Sequence, residues 1–235
     1  MESIIEGFKK AFSLIFGLDA ELLGIIFLSL RVSGTALLIV SIIGLPLSAL
    51  ISLKKFPARG LFISIMNTLM GLPPVVVGLF VYMMLSRSGP IGFMGLLYTP
   101  SAMIIAQTIL AFPIAVSLCH SAIISVNPII KQASMTLGAT SLQTSVTIIK
   151  EARYGIMSGM IAAFGRVMAE VGAILIVGGN IAGYTRVMTT TIALETDKGN
   201  FELAIALGII LLTISLAINL LLHFVQRKGA LPVNR

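Results

Sequence analysis

Charge is scarce in this chain: only 11% of its 235 residues are Asp, Glu, Lys or Arg, and tryptophan is absent. So few charges over such a length exclude an ordinary soluble surface and any disordered, highly charged class. The net charge of +7 raises the question of nucleic acid. Its basic residues flank apolar segments and form no stripe interleaved with aromatics, so no nucleic-acid partner is expected. A single cysteine, Cys119, excludes a disulfide framework and any cysteine-rich metal spacing, and its apolar setting reads as core. Histidine is confined to His120 and His223, without acidic or cysteine companions, which argues against a metal site or a proton relay. No Gly-rich Lys-Ser/Thr loop is present, so ATP hydrolysis cannot reside in this chain.

What is abundant is apolar sequence, 57% of the residues, in runs near the ~20 needed to cross a bilayer. The expected fold class is an all-α membrane protein with about five transmembrane helices, over 22–52, 61–85, 99–126, 155–178 and 201–225. Residues 1–21 carry Glu2, Glu6, Asp19 and Glu21 beside Lys9 and Lys10 and alternate polar with apolar positions. They read as an amphipathic segment on the membrane surface, without the cleavage pattern of a signal peptide. The membrane domain then runs 22–226, interrupted by a polar loop at 127–152, and 227–235 forms a tail.

The loops after the first, third and fifth spans hold nine basic residues, among them Lys54, Arg59, Lys131, Lys150, Arg153 and Arg227, against one acid, Glu151. The other side holds five basic residues against seven acids. The excess of positive charge places the N-terminus outside and the tail in the cytoplasm. An odd number of spans without visible duplication argues against a carrier built from paired repeats.

Three groups of residues interrupt the apolar pattern. Gly71-Leu72-Pro73-Pro74-Val75 and Pro113 remove backbone donors within the second and third spans and mark kinks, read either as gate elements along a path or as plain structural bends. Arg166 and Glu170 stand four apart on the fourth span, and Arg31 lies at similar depth on the first. Charge at such depth is costly, so it reads as a pathway element or as a helix-locking ion pair, with a cluster of all three possible. The third group is outside: Gly178-Gly179-Asn180, then Thr185, Arg186, Thr189 and Thr190, rich in hydrogen-bond donors that suit an anion. Docking of a partner protein, direct ion contact and structural turns all remain open for it.

Within 127–152, Lys131, Gln132, Ala133, Ser134, Thr136, Leu137, Gly138 and Ala139 precede Ile148. The triplet Gln132-Ala133-Ser134, the glycine at Gly138 and Ile148 are similar in spacing to the EAA loop of ABC importer permeases, although Gln stands for the usual Glu and Lys150-Glu151 for Leu-Pro. The combination of Leu72-Pro73-Pro74-Val75-Val76-Val77-Gly78 with Gly165 to Glu195 resembles the permeases of molybdate and tungstate ABC importers, the tungstate type most closely. That resemblance, over 22–225, implies a type I importer permease in the cytoplasmic membrane of a prokaryote. It implies a homodimeric path for an oxyanion, working by alternating access. Two ABC ATPase subunits, which bind the ATP and Mg2+, would dock on the 131–148 segment, and an external oxyanion-binding protein would deliver the ion. No cofactor is expected in this chain itself, and lipid is its other partner. No appended domain is expected after Arg227, which leaves the ATPase as a place where regulation could still act. Molybdate and sulfate are the alternative cargoes. An ATP-independent carrier, or an intramembrane enzyme with paired carboxylates or a nucleophile beside a base, has less support in the residues.

Overall fold

The computed structural model describes residues 20–54 and 56–229, together with Ser13 and Gly17; side chains at 222, 223 and 225–229 are outside that description. The amphipathic segment expected over 1–21, apart from Ser13, Gly17, Ala20 and Glu21, lies outside the described residues. So do Lys55, the His223 side chain and the end of the tail.

All regular structure among the described residues is helical: α1 (Ala20–Leu53), α2 (Arg59–Leu69), α3 (Pro74–Leu85), α4 (Pro100–Ile124), α5 (Pro128–Thr136), α6 (Ser141–Met168), α7 (Gly172–Gly178), α8 (Met188–Asp197) and α9 (Phe201–Gly229), with one 3-10 turn at Gly92–Met94. Helices α1, α4 and α9 are long and apolar enough to cross a membrane, and two bent pairs, α2 with α3 and α6 with α7, bring the possible spans to five. With each bent pair taken as one span, the structure accommodates the five expected spans, two of them broken. A lipid environment supplies no hydrogen bonds to stray backbone, which is why these stretches are helical and why their breaks must face protein or a water-filled cavity.

Helix α4 forms the centre. Thr99 caps its start by accepting the Ala102 N–H at 3.4 Å, Pro100 occupies the first turn where no donor is needed, and the helix runs through Pro113 as one element. Small buried residues, Ala102, Ala106, Ala111 and Ala115, let its neighbours come close. On α1 the buried positions Val32, Ala36, Val40, Gly44, Ser48 and Ile51 recur every three or four residues and form the stripe that meets α4. On the other flank α6 presents Gly155 and Gly159, where an added Cβ would fall 2.7 Å from Ala122 and 3.0 Å from Leu118. Glycine at these two positions sets how closely α4 and α6 pack.

The two ends of the bundle differ. At one end the termini of α1 and α4 meet α5 and the start of α6, the segment bearing Lys131 and Lys150. At the other, Tyr98 before α4 donates its N–H to Val177 O at the end of α7 (2.9 Å), and α8 packs on α9.

Candidate translocation and coupling sites

The kink expected at Pro73 and Pro74 is a full break. Helix α2 ends at Leu69, Pro73 takes an extended conformation (φ −65°, ψ 123°), Pro74 opens α3, and the two axes differ by 101°. Each proline disfavours a helical residue before it, so two in succession stop one helix and start another. Val75 follows on the first turn of α3 and is exposed. It shares an exposed apolar face with Val76, Leu79, Phe80 and Met83, a spacing that repeats along one side of the helix.

A second elbow was not legible in the sequence. The span expected over 155–178 is divided: α6 begins at Ser141, inside the polar loop expected over 127–152, and stops at Met168, and α7 departs from it by 56°. Glu170 occupies the bend. Its carboxylate accepts from Arg166 Nη1 at 3.0 Å with one oxygen and from the Ala173 N–H at 3.2 Å with the other. The same side chain thus neutralises the last turn of α6 and caps the first turn of α7, which favours negative charge. Its main-chain oxygen receives the Thr189 hydroxyl at 2.8 Å, tying the bend to α8. Glu170 is only 3% exposed whereas the Arg166 side chain is 37% exposed, so the carboxylate is the member that depends on the pair. The signal that could have found this elbow is a carboxylate two residues before a glycine inside an apolar run.

Arg31 does not join that pair. It lies exposed on α1 beside a cavity of about 370 Å3 whose lining includes Glu21, Tyr184 and Arg186, so the possible three-charge cluster resolves into two separate groups. Pro113 sits apart as well, buried within α4.

The halves α3 and α7 of the two broken spans pack on each other. A Cβ on Gly78 would lie 2.8 Å from Ala173 Cα, and one on Gly172 would lie 2.9 Å from Val75 Cγ2. Backbone therefore approaches backbone at Gly78, the Val75 side chain packs on the bare Cα of Gly172, and the elbow at Pro73–Pro74 is brought against the elbow at Glu170.

Beyond α7 the threonines of the donor-rich stretch spend their hydroxyls on the protein, while Arg186 Nε is buried without a hydrogen-bond partner. Gly179 (φ 71°) and Asn180 (φ 49°) turn the chain through the left-handed region, and the Tyr98 ring lies where a Gly179 side chain would be. Thr185, fully buried, donates to Gly178 O at 2.6 Å and accepts from the Ile181 N–H at 2.9 Å. Thr190 accepts the Val187 N–H at 3.1 Å, and the Met188 N–H goes to Ser29 Oγ on α1 at 2.9 Å. What this stretch leaves outward is Ile181 and Tyr184, with Arg186 half-buried and 3.8 Å from Glu21. At the end of α8, Glu195 takes hydrogen bonds from Lys198 (2.8 Å) and Asn200 (3.0 Å). The Lys198 bond foremost holds its carboxyl below the usual range, burial opposing it.

The segment expected to couple to a partner is a helix, a turn and a helix. Asn127 caps α5 by accepting the Ile129 N–H at 3.0 Å, with Pro128 in the first turn. At its other end the Ala139 N–H reaches Ser134 O and the Gly138 N–H reaches Met135 O, both at 3.0 Å, with Gly138 at φ 82°. This is a Schellman termination, whose penultimate position wants glycine. A reciprocal capping box of Thr140 and Gln143 then starts α6. On α5 itself Lys131, Gln132, Ala133 and Thr136 are exposed, Ser134 is half-buried, and the large apolar side chains Ile129 (64% exposed) and Met135 (60%) stand in the open, with Leu137 (87%) just past its end. No group of three or more His, Cys, Asp or Glu residues able to hold a metal occurs among the described residues.

Comparison with known proteins adds what geometry cannot. The model of the binding-protein-dependent transport system inner membrane component family matches residues 41–229. A tungstate uptake system permease protein, TupB, of Peptoclostridium acidaminophilum is 44% identical over 97% of this chain and 100% of its own length. A probable anion ABC transporter permease of Haloferax volcanii is 45% identical over 85% and 88%. Permeases of molybdenum and sulfate transport systems match at 30% and 26% identity. Among solved structures, a bacterial alginate ABC transporter in complex with an alginate-bound periplasmic protein superposes with a TM-score of 0.75 at 21% identity, covering 97% of this chain and 87% of that one.

Proposed function

Since the chain belongs to the family of binding-protein-dependent transport system inner membrane components, we propose that it is the membrane-spanning permease of an ATP-driven importer and that its cargo is tungstate. The observation that carries the choice of ion is identity of 44% along the whole length of a tungstate uptake permease, against 30% for a molybdenum permease and 26% for a sulfate one.

The geometry supports a division of labour. Two copies of the chain face each other across α3 and α7, which accounts for the apolar face of α3 left open in one copy. The elbows at Pro73–Pro74 and Glu170 move against each other and open the path alternately to either side. An ABC ATPase grips α5 through Ile129 and Leu137, and the resulting displacement travels up α6, an unbroken helix of 28 residues from the coupling segment to the Glu170 elbow. The exposed residues Ile181 and Tyr184 lie outside, where a tungstate-loaded binding protein docks, with the N-terminus outside as the charge distribution requires. Affinity for the ion along the path is weak at every stage, because a tightly held ion would not leave. Selectivity then belongs mainly to the binding protein.

The test is to purify the tagged chain from native membranes in mild detergent with its accompanying subunits and reconstitute it in vesicles. Tungstate-loaded binding protein is expected to accelerate ATP hydrolysis and uptake, and sulfate-loaded protein is not. Faster uptake with molybdate than with tungstate reassigns the cargo. Failure to recover an ATPase even after cross-linking through the 131–148 segment overturns the importer assignment and moves a self-sufficient carrier to the front.

A further inference from the structure

A cavity of about 460 Å3 lies between the ends of α1 and α4, helix α5 and the first turns of α6. Its wall is divided. Leu53, Ile123 and Ile148 continue the apolar bundle, while Lys131, Thr144 and Ser145 supply a cation and hydroxyls, and no carboxylate belongs to the lining. The volume falls in the range of sites for small organic ligands, ~300–1,000 Å3, and half of the wall suits hydrocarbon.

Thr144 points to the chemistry of the other half. It is 4% exposed, and its hydroxyl has no hydrogen-bond partner in the protein. Threonines nearby return their hydroxyls to the carbonyl four residues back, Thr136 to Gln132 at 2.9 Å and Thr147 to Gln143 at 3.0 Å. Thr144 does not. A buried donor kept unspent is costly, and this one stands on the opening turns of a long helix, in a cavity whose lining also holds Lys131. Phosphate oxygens accept hydrogen bonds and carry charge, which is what a lysine and a spare hydroxyl are able to bind.

We infer that this cavity is a binding site for an anionic phospholipid, its phosphate held by Lys131 and Thr144 and its acyl portion laid against Ile123 and Ile148. The divided wall is what selects an amphiphile over a free ion. The location agrees: this is the basic end of the bundle, where a span end meets the polar coupling segment, and basic pockets at such ends attract anionic headgroups. Because the cavity is bounded by α5 on one side and by α1 and α4 on the other, a bound lipid braces the coupling helix against the membrane domain. The site is independent of which ion is transported.

The experiment uses the protein purified with its accompanying subunits, exchanged into phosphatidylglycerol or phosphatidylcholine and then analysed by native mass spectrometry for retained lipid. Wild type is expected to keep phosphatidylglycerol and to lose phosphatidylcholine. Thr144→Val should weaken phosphatidylglycerol retention ~10-fold, the lower bound for losing a hydrogen bond to a charged acceptor, and Thr144→Ser should restore it. Melting in phosphatidylcholine separates a lipid contact from a folding role. There Thr144→Val should be as stable as wild type or more so, since it removes an unpaired hydroxyl. Equal retention of phosphatidylglycerol by wild type and Thr144→Val overturns the inference, as does retention of both lipids alike, displacement of the lipid by inorganic phosphate, or loss of stability of Thr144→Val in phosphatidylcholine. None of these readouts depends on transport, so the outcome stands apart from the assignment of cargo.

Discussion

Removing the Arg166–Glu170 pair one member at a time should give unequal costs, in an order set by burial. In Arg166→Met the carboxylate stays at the elbow, 3% exposed, with the Ala173 N–H as its remaining side-chain hydrogen bond. Stripping a buried charge of its partner costs about 3–5 kcal/mol, and the surviving cap returns part of that, leaving ~3 kcal/mol. In Glu170→Gln the amide oxygen still accepts from Ala173, and the Arg166 side chain, 37% exposed, turns outward, so the loss is nearer ~1 kcal/mol. Joining the two substitutions removes the stranded carboxylate, and the double variant should recover at least ~1 kcal/mol relative to the sum of the singles. For a chain of this size ~1 kcal/mol corresponds to roughly 2–4 °C of melting temperature. Thermal denaturation of the four proteins in one detergent, with the yield of assembled complex beside it, measures the cycle. Additive single effects, or Glu170→Gln more damaging than Arg166→Met, would refute a structural role for the pair. So would normal yield of Glu170→Gln with an altered ion preference.

The glycine contact between α3 and α7 yields a second test. Gly78→Leu should abolish assembly or transport, since even a Cβ would lie 2.8 Å from Ala173 Cα, whereas Gly60→Ala, with nothing within 4 Å, should be silent in the same uptake assay. At the end of α5, Gly138→Ala places a Cβ in the left-handed region at a cost of ~1–2 kcal/mol, and Gly138→Asn should be milder. Gly138→Trp should leave ATP hydrolysis uncoupled from uptake, and unchanged transport in that variant would remove Gly138 from the coupling segment. On the acid side, the depressed carboxyl of Glu195 stabilises the fold above the ordinary glutamate value of 4.5, and that contribution is lost as pH falls below it toward the folded value. Glu195→Gln should therefore flatten the fall in melting temperature as pH drops below 4.5.

What the sequence made legible follows its hydropathy and its punctuation. Apolar length located all five spans, and Pro73–Pro74 located one break, though as a kink, because proline chemistry says where a helix stops and nothing about where the next one points. The Glu170 elbow was hidden for a physical reason. No proline or glycine pair marks Ala169 to Val171, and the bend is held by tertiary bonds, the carboxylate to Arg166 and Ala173 and the carbonyl to Thr189, none of which is a local propensity. The threonines beyond α7 pose the same difficulty. Composition registers Thr185, Thr189 and Thr190 as donors, and only the fold reveals that Gly178, Glu170 and Val187 already receive or supply their hydrogen bonds.

The coupling segment joins these observations to function. Its glycine was visible as a motif, but its reason is the left-handed termination of α5, which lets the chain reverse within Leu137–Thr140 and start α6 at once. Helix α6 then runs ~42 Å at 1.5 Å per residue, with a capping box at its base and the Glu170 elbow at its top. A displacement that reaches the start of α6 meets no break in the helix until Ala169. There the rigid rod ends at a bend whose far side, α7, touches α3 through glycine. Under the importer assignment the stroke of the ATPase is therefore delivered at the contact between the two broken spans. A flexible insertion of several glycines after Gly155 should uncouple hydrolysis from uptake while leaving ATPase capture by α5 intact, and retained uptake in such a variant would show that the stroke takes another route.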